Sequence, residues 1–358
     1  MEYTKYVEDV FEQAPLFVVG SGTSCGAGIS GMWQLGQYLI KHVCTDEFGD
    51  EENALWETFV HSLEDDKGLE EALQSLGGNV PEKLTNAIVQ TTWKCISNDE
   101  REALLKIICN EDLIGFVRVF ERYKHSTNNC IDIITTNYDH LIEWSAAYSG
   151  WEVWDGFNSG SFSRTIDSKT FGSKMKRVIR GGRTPKFDSI KHLKIYKPHG
   201  SLCWFKLPDK SVVKLSNLAP SDDILLINMG ITPVIVTPGI GKYLETHLEP
   251  YNRVLVEMEE SIQKVKAIVF LGFGFNDIHI QGKFTPILRN STIPKLILTK
   301  SLTPSFKEMM EQKEIRNYMA IEESGEGSFI ISDKVEPETY DHIDIWSLKG
   351  LLKTIWGE

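Results

Sequence analysis

The sequence predicts an α/β fold, a parallel sheet covered by helices, on three observations. Short β-branched runs recur along the chain and end at glycine or at polar residues. Helical periods separate several of them. The first run leads straight into a segment made almost wholly of glycine, serine, threonine and alanine. Continuous apolar runs of this length read as strands buried on both faces, which is the habit of parallel sheets between helical layers.

In chain order, "LFVVG" at 16–20 gives the first strand and "SGTSCGAGIS" the turn after it, and "SGMWQLGQYLIKHV" at 30–43 has helical period. Residues 45–128 hold "ENALWETFVHSLEDDKGLEEALQSLGG" and "NDEREALLKIICNEDLIGFVRVFERYKH", rich in Glu and Leu with no convincing strand, and read as a helical insertion. Strands are expected at "CIDIITTN" (130–137), "LKIYKPHG" (193–200), "PVIVTPG" (233–239), "AIVFLGFG" (267–274) and "PKLILTK" (294–300), with a helix over 247–265. The six runs place Gly20, Asn137, His199, Pro238, Gly272 and Thr299 at carboxyl ends, where open α/β sheets bind ligands. Residues 161–197 reverse the sign of charge, with eleven Lys and Arg against two Asp, and read as a basic, loop-rich excursion. The organisation expected is one domain over 1–358 carrying both features.

The chain has 358 residues, 41% of them apolar, and a net charge of −12. That charge excludes a protein whose whole surface wraps nucleic acid and leaves room for a local basic patch. No run approaches the roughly 18 apolar residues of a membrane span, and the acidic start "MEYTKYVEDVFEQ" lacks the regions of a signal peptide, so a cytoplasmic protein is expected. Cysteines 25, 44, 95, 109, 130 and 203 form no CxxC pair, which argues against a zinc ribbon or a disulfide framework.

A strand, a glycine turn and a helix suit a phosphate, because backbone amides and the helix dipole face the ligand. An ATP-binding P-loop is excluded, since Ser30 and Gly31 follow "GAGI" where Lys and Ser or Thr are required. The literal GxGxxG at Gly26–Gly31 begins six residues after the strand and lacks the acidic residue that would hold a ribose, so it is an accidental match. "TTNYDHL" at 135–141 sets Asn137 and Asp139 at a strand exit, and "KPHGS" at 197–201 does the same for His199. Asp277 with His279 is too small a cluster for a metal, and Cys203 reads as a buried structural thiol.

With these residues in order, the chain resembles the sirtuins, whose fold is Rossmann-like. Their "GAGxS" and "GIP" are matched by "GSGTS" (Gly20, Ser21, Gly22, Thr23, Ser24) and by Gly28 with Ile29. Their "TQNID" corresponds to Thr135–Asp139, their catalytic "HG" to His199 and Gly200, and their late "GTS" to "GFG", Gly272, Phe273 and Gly274. Two departures stand out. The family's "DFR" is replaced by Gly31, Met32 and Trp33, and the two CxxC pairs of its zinc module are missing, which argues against protein deacylation. "LGFGFNDIHI" at 271–280 and "SLKGLLKTIWG" near the end look instead like the sirtuin-like NAD hydrolases of bacterial anti-phage defence.

The resemblance implies that NAD is the substrate, that no metal is needed, and that nicotinamide and ADP-ribose are released. It assigns Asn137 to orienting the ribose and water, Asp139 to the carboxamide, and His199 to general base. Ser24 would meet the pyrophosphate or ribose, and Gly272, Gly274, Asn276 and Asp277 the adenosine half. Other classes kept in view are a sensor that binds NAD or ADP-ribose without turnover, and a protein deacylase or ADP-ribosyltransferase. With about 60 residues after the last expected strand, no sensor is expected on this chain. A homo-oligomer switched by a separate protein is expected, either a HerA-type ATPase or a nucleotide pyrophosphatase-like protein, with nucleic acid involved only indirectly.

Overall fold

The computed structural model describes residues 2–65, 67–110, 114–180, 186–237 and 249–357. Its strands are β1 (Leu16–Val19), β2 (Cys130–Thr135), β3 (Glu152–Trp154), β4 (Phe162–Ser163), β5 (Lys176–Arg180), β6 (Lys186–Ser189), β7 (His192–Tyr196), β8 (Gly200–Lys206), β9 (Val212–Leu215), β10 (Thr232–Ile235), β11 (Ile268–Leu271), β12 (Lys295–Thr299), β13 (Tyr318–Ser324), β14 (Gly327–Ser332) and β15 (Glu338–Tyr340). Nine of these form one sheet in the order β15-β14-β13-β12-β11-β1-β2-β7-β3. All its pairings from β13 to β3 are parallel, and β14 and β15 add an antiparallel edge.

All four residues of β1 are buried, as a central strand with helices on both faces requires. Successive side chains point to opposite sides. Phe17 and Val19 pack with the helices Glu2–Glu12, Met32–His42, Glu82–Asn110 and Phe116–Lys124, whereas Leu16 and Val18 pack with the helices Tyr251–Ile262 and Pro304–Glu311. Chain order runs outward from β1 through β2 on one side and restarts at β11 on the other, so the sheet switches direction between β1 and β11. Register sets Val19 beside both Leu271 and Thr135, and the loops that follow leave the sheet at one level.

The sheet corrects two expectations. The run at 233–239 is not a parallel strand: β10 pairs antiparallel with β8 in a separate sheet, β10-β8-β9-β4, and Pro238 lies outside the described residues. A short apolar run looks the same in either kind of sheet, and β8, with six of its seven residues buried, supplies the partner. The main sheet also continues past the last expected strand, through β13, β14 and β15. Residues 45–128 form the helices Asp50–Glu64, Leu69–Gln74, Glu82–Asn110 and Phe116–Lys124, with no strand among those described. The basic stretch 161–197 holds β4, the helix Ser168–Lys174, the β5–β6 hairpin and β7, and residues 181–185 lie outside the described residues.

Candidate active site

The glycine loop leaves β1 at Gly20 and turns at once into the short helix Ser21–Cys25. It closes against the loop after β11: the Gly22 amide donates to the Gly272 carbonyl at 3.2 Å. Gly272 has a φ of +52°, and a Cβ there would lie 2.3 Å from the Thr23 nitrogen, so only glycine permits this approach. Gly22, Thr23 and Gly272 therefore shape the crossing of two loops and do not line the cavity beside it, and neither does Gly28.

Asn137 is fixed by three bonds. Its amide nitrogen Nδ2 donates to the Gly20 carbonyl at 3.0 Å and to Ser24 Oγ at 2.9 Å, and its backbone N–H donates to Thr135 Oγ1 at 3.1 Å. Both Nδ2 hydrogens are used, so the free side-chain group is Oδ1, which carries no hydrogen bond among the described residues. Ser24, expected against the pyrophosphate or ribose, is buried and accepts from Asn137, which it helps to orient. Asp139 is 5% exposed and caps the next turn through the Leu141 amide at 3.2 Å. Burial pushes its carboxyl up; Lys197 and Ser24 pull the other way, and Glu100 and Glu143 add to the rise. Lys197, one of the eleven basic residues counted in the 161–197 stretch, is fully buried and pairs with Glu143 at 2.7 Å while donating to the Asp139 carbonyl. Burial alone would lower its pKa, yet Glu143 and Asp139 raise it, so the ammonium is retained beneath the loop.

His199 follows β7 and precedes β8. Its Nε2 lies 2.8 Å from Oδ2 of Asp277, while Oδ1 of Asp277 accepts from the Ile280 amide at 3.2 Å, as an N-cap of the helix Ile278–Leu288. Asp277, expected beside adenosine, is thus in contact with the His199 ring. Gly200 has a φ of +87°, and a Cβ there would sit 2.0 Å from the Val234 carbonyl oxygen, so the glycine after His199 is required by the close pairing of β10 with β8.

These groups meet at a cavity of about 260 Å³ at the switch between β1 and β11. Of the expected site residues, Gly20, Ser21, Ser24, Asn137, Asp139, His199, Phe273, Gly274, Asn276 and Asp277 line it. Sequence reasoning missed the opposite wall: Gly68, Leu69 and Glu70 come from the start of the helix Leu69–Gln74, and Ile96 from the helix Glu82–Asn110. Their spacing carries no motif, and the only available signal was that an insertion between β1 and β2 leaves the sheet beside the glycine loop. Ile29, Met32 and Leu35 complete the apolar side, with Ser30 between them. No group of three or more His, Cys, Asp or Glu side chains able to hold a metal ion occurs among the described residues, and no helix among them is long and apolar enough to cross a membrane.

A family model described as a SIR2-like domain matches residues 132–319, more than half of the chain. The span includes Asn137, Asp139, His199 and Asp277 and leaves the glycine loop outside. No curated protein matches. Among solved structures, a Sir2 homolog in complex with NAD is 12% identical, over 85% of this chain and 82% of that one, with a TM-score of 0.42. A Sir2 bound to acetylated peptide is 11% identical, over 99% and 98%, with a TM-score of 0.45.

Proposed function

The chain belongs to the SIR2-like domain family, and from that premise we propose that it is an NAD glycohydrolase, an effector of anti-phage defence that depletes cellular NAD. The observation that carries this reading is the convergence on one cavity of the glycine loop, the free Oδ1 of Asn137 and the His199–Asp277 pair. The wall supplied by Gly68, Leu69, Glu70 and Ile96 supports hydrolysis over peptide deacylation, and so does the lack of CxxC pairs. The residues present fit the substrate: polar groups cluster at Asn137, His199 and Asp277, and apolar side chains from Ile29, Met32, Phe273 and Phe275 can flank a flat ring.

Nicotinamide leaves as a neutral molecule with the electron pair of the ribosyl C–N bond, so little acid assistance is needed. The protein must orient the ribose, admit one water and accept one proton. Asn137 Oδ1 accepts a hydrogen bond from a ribose hydroxyl or from the water. With Nε2 held by Asp277, His199 presents Nδ1 as the base that takes the water's proton as its oxygen bonds to the anomeric carbon. Asp139, lining the cavity with a raised carboxyl pKa, serves the carboxamide. The enzyme is gated by a separate partner, a HerA-type ATPase or a pyrophosphatase-like protein, and assembles as a homo-oligomer in the cytoplasm. Incubating the assembly with NAD and no acylated peptide tests the reading: nicotinamide and ADP-ribose should form in equal amounts, and release that required acetyl-lysine would overturn it.

A further inference from the structure

The helix Glu82–Asn110 lies in the stretch read from sequence as an insertion, yet it holds three segments at or beside the cavity. Oδ2 of Asp99 accepts the Ser30 amide of the glycine loop at 2.8 Å. The Trp93 indole donates to the Leu202 carbonyl on β8 at 2.9 Å. A single oxygen of Glu100, Oε1, accepts both the backbone N–H of His140 at 2.6 Å and its ring Nδ1 at 2.9 Å. Trp93, Ile96 and Glu100 are spaced three and four apart, so one face of the helix carries both clamps and a cavity-lining side chain.

The contact at His140 reaches further. Its other ring nitrogen, Nε2, lies 2.9 Å from Ser201 Oγ and 3.0 Å from Cys203 Sγ on β8. His140 directly follows Asp139, and Ser201 is two residues past His199. The order Cys203, His140, Glu100 resembles a nucleophile, base and acid. Cys203 and Ser201 are buried, however, and neither lines the cavity, so no substrate reaches them.

We infer that Glu100 is a positioning residue for the proposed hydrolysis: through His140 and Ser201 it locks the Asn137–Asp139 loop to the His199 loop. The inference rests on reading the cavity as the site of NAD hydrolysis. Burial alone would lower the His140 pKa, but Glu100 and Cys203 raise it well above its ordinary value, which favours the charged ring that donates at both nitrogens. Charge-assisted bonds of this kind are short and directional. Loss of the link lets the two loops drift relative to each other, and a displacement of about 1 Å costs on the order of a hundredfold in rate.

The test compares Glu100→Ala, Glu100→Gln and Ser201→Ala with the exposed Glu102→Ala as control, in the full chain under conditions where wild type hydrolyses NAD. Glu100→Ala should lower kcat on the order of a hundredfold with Kd for NAD held within about threefold. Glu100→Gln should recover a large part, since its side-chain oxygen can still accept the His140 amide. Ser201→Ala should lower kcat without touching Glu100, and Glu102→Ala should match wild type. A folded Glu100→Ala with wild-type kcat, or with kcat and affinity lost in parallel, overturns the inference. Should Glu100→Ala fail to fold, Glu100→Gln and Ser201→Ala decide: a fall in kcat at unchanged Kd in both sustains it, and wild-type kcat in both overturns it. Absence of hydrolysis by wild type in every condition defeats the NAD reading instead. Hydrogen exchange then judges the lock by itself: joint loss of amide protection at 137–140 and 199–202 in Glu100→Ala, relative to Glu102→Ala, sustains it, and unchanged protection overturns it.

Discussion

Asp277 Oδ2 and His199 Nε2 stand 2.8 Å apart, although 78 positions separate them in the chain, and this contact fixes the ring to which the proposed hydrolysis assigns the role of base. A carboxylate on one ring nitrogen sets the tautomer that leaves a lone pair on the other. Asp277→Asn should keep the helix cap, since asparagine caps as well as aspartate, while removing the charge that orients the ring. Its kcat should fall about ten- to a hundredfold, and His199→Ala should lose about 10²–10⁴-fold. Calorimetry should find NAD affinity within a few fold of wild type in both; a folded His199→Ala unable to bind NAD would refute the role given to His199.

Asn137 separates orientation from charge. Asn137→Ala removes the free Oδ1 and leaves the buried Gly20 carbonyl without its side-chain donor, so turnover should vanish and stability should drop by about 1–3 kcal/mol. Asn137→Asp has nearly the same shape but no donor, and it sets a carboxylate oxygen against the Gly20 carbonyl. Urea midpoints should rank wild type above both variants, and an Asn137→Asp as stable as wild type would contradict the amide orientation described above.

Much of this site was legible because the chemistry lies at strand ends. β1, β2, β7, β11 and β12 were readable as buried runs, and Asn137, His199 and the Gly272–Gly274 loop sit directly after three of them. What was not legible depends on pairing across the chain. No local pattern says that Asp277 faces His199, that Lys197 is buried against Glu143, or that Ser24 orients Asn137. β13 and β14 escaped because "YMAIEES" and "GSFIIS" are only partly apolar, as strands near a sheet edge tend to be. The wall made by Leu69, Glu70 and Ile96 is set by helix packing, which residue spacing does not encode.

Gly200→Ala tests backbone constraint beside the base. The added methyl would meet the Val234 carbonyl oxygen at 2.0 Å on a residue with a φ of +87°. The cost should exceed the roughly 1–2 kcal/mol of left-handed backbone alone, and the Tm should fall by several degrees. An alanine variant melting with wild type would mean that β10 does not pair so closely with β8 at Gly200.

The His140–Glu100 pair makes stability depend on pH in a defined direction. Because the folded pKa of His140 is raised above 6.5, its contribution is complete below that value and fades as pH rises through the folded pKa. The stability difference between wild type and His140→Gln should therefore be widest in mildly acidic solution and narrow towards alkaline pH. Denaturant titrations from about pH 6 to about pH 10 read this directly. A difference that widened with pH would show that His140 is neutral in the folded protein.

Control by a partner is the consequence most open to refutation. The β5–β6 hairpin pairs with no other strand among the described residues, and it carries Val178, Ile179 and Phe187 exposed at 58%, 65% and 56% among basic residues. Its only described cross-strand ion pair, Arg177 with Asp188 at 2.6 Å, is itself exposed and contributes little to folding. Such a surface is poorly explained by the stability of the chain alone. Through Ser189 it leads into β7, whose exit carries Lys197 and His199, so the proposed partner, if it binds the hairpin, would sit on the segment that continues to His199. Arg177, Arg180 and Arg183 changed together to Glu should abolish partner-stimulated NAD loss while leaving the fold and the NAD affinity of the chain intact. Full stimulation of that triple variant would remove the hairpin as the control surface, and full activity of the purified wild-type chain without any partner would remove gating altogether.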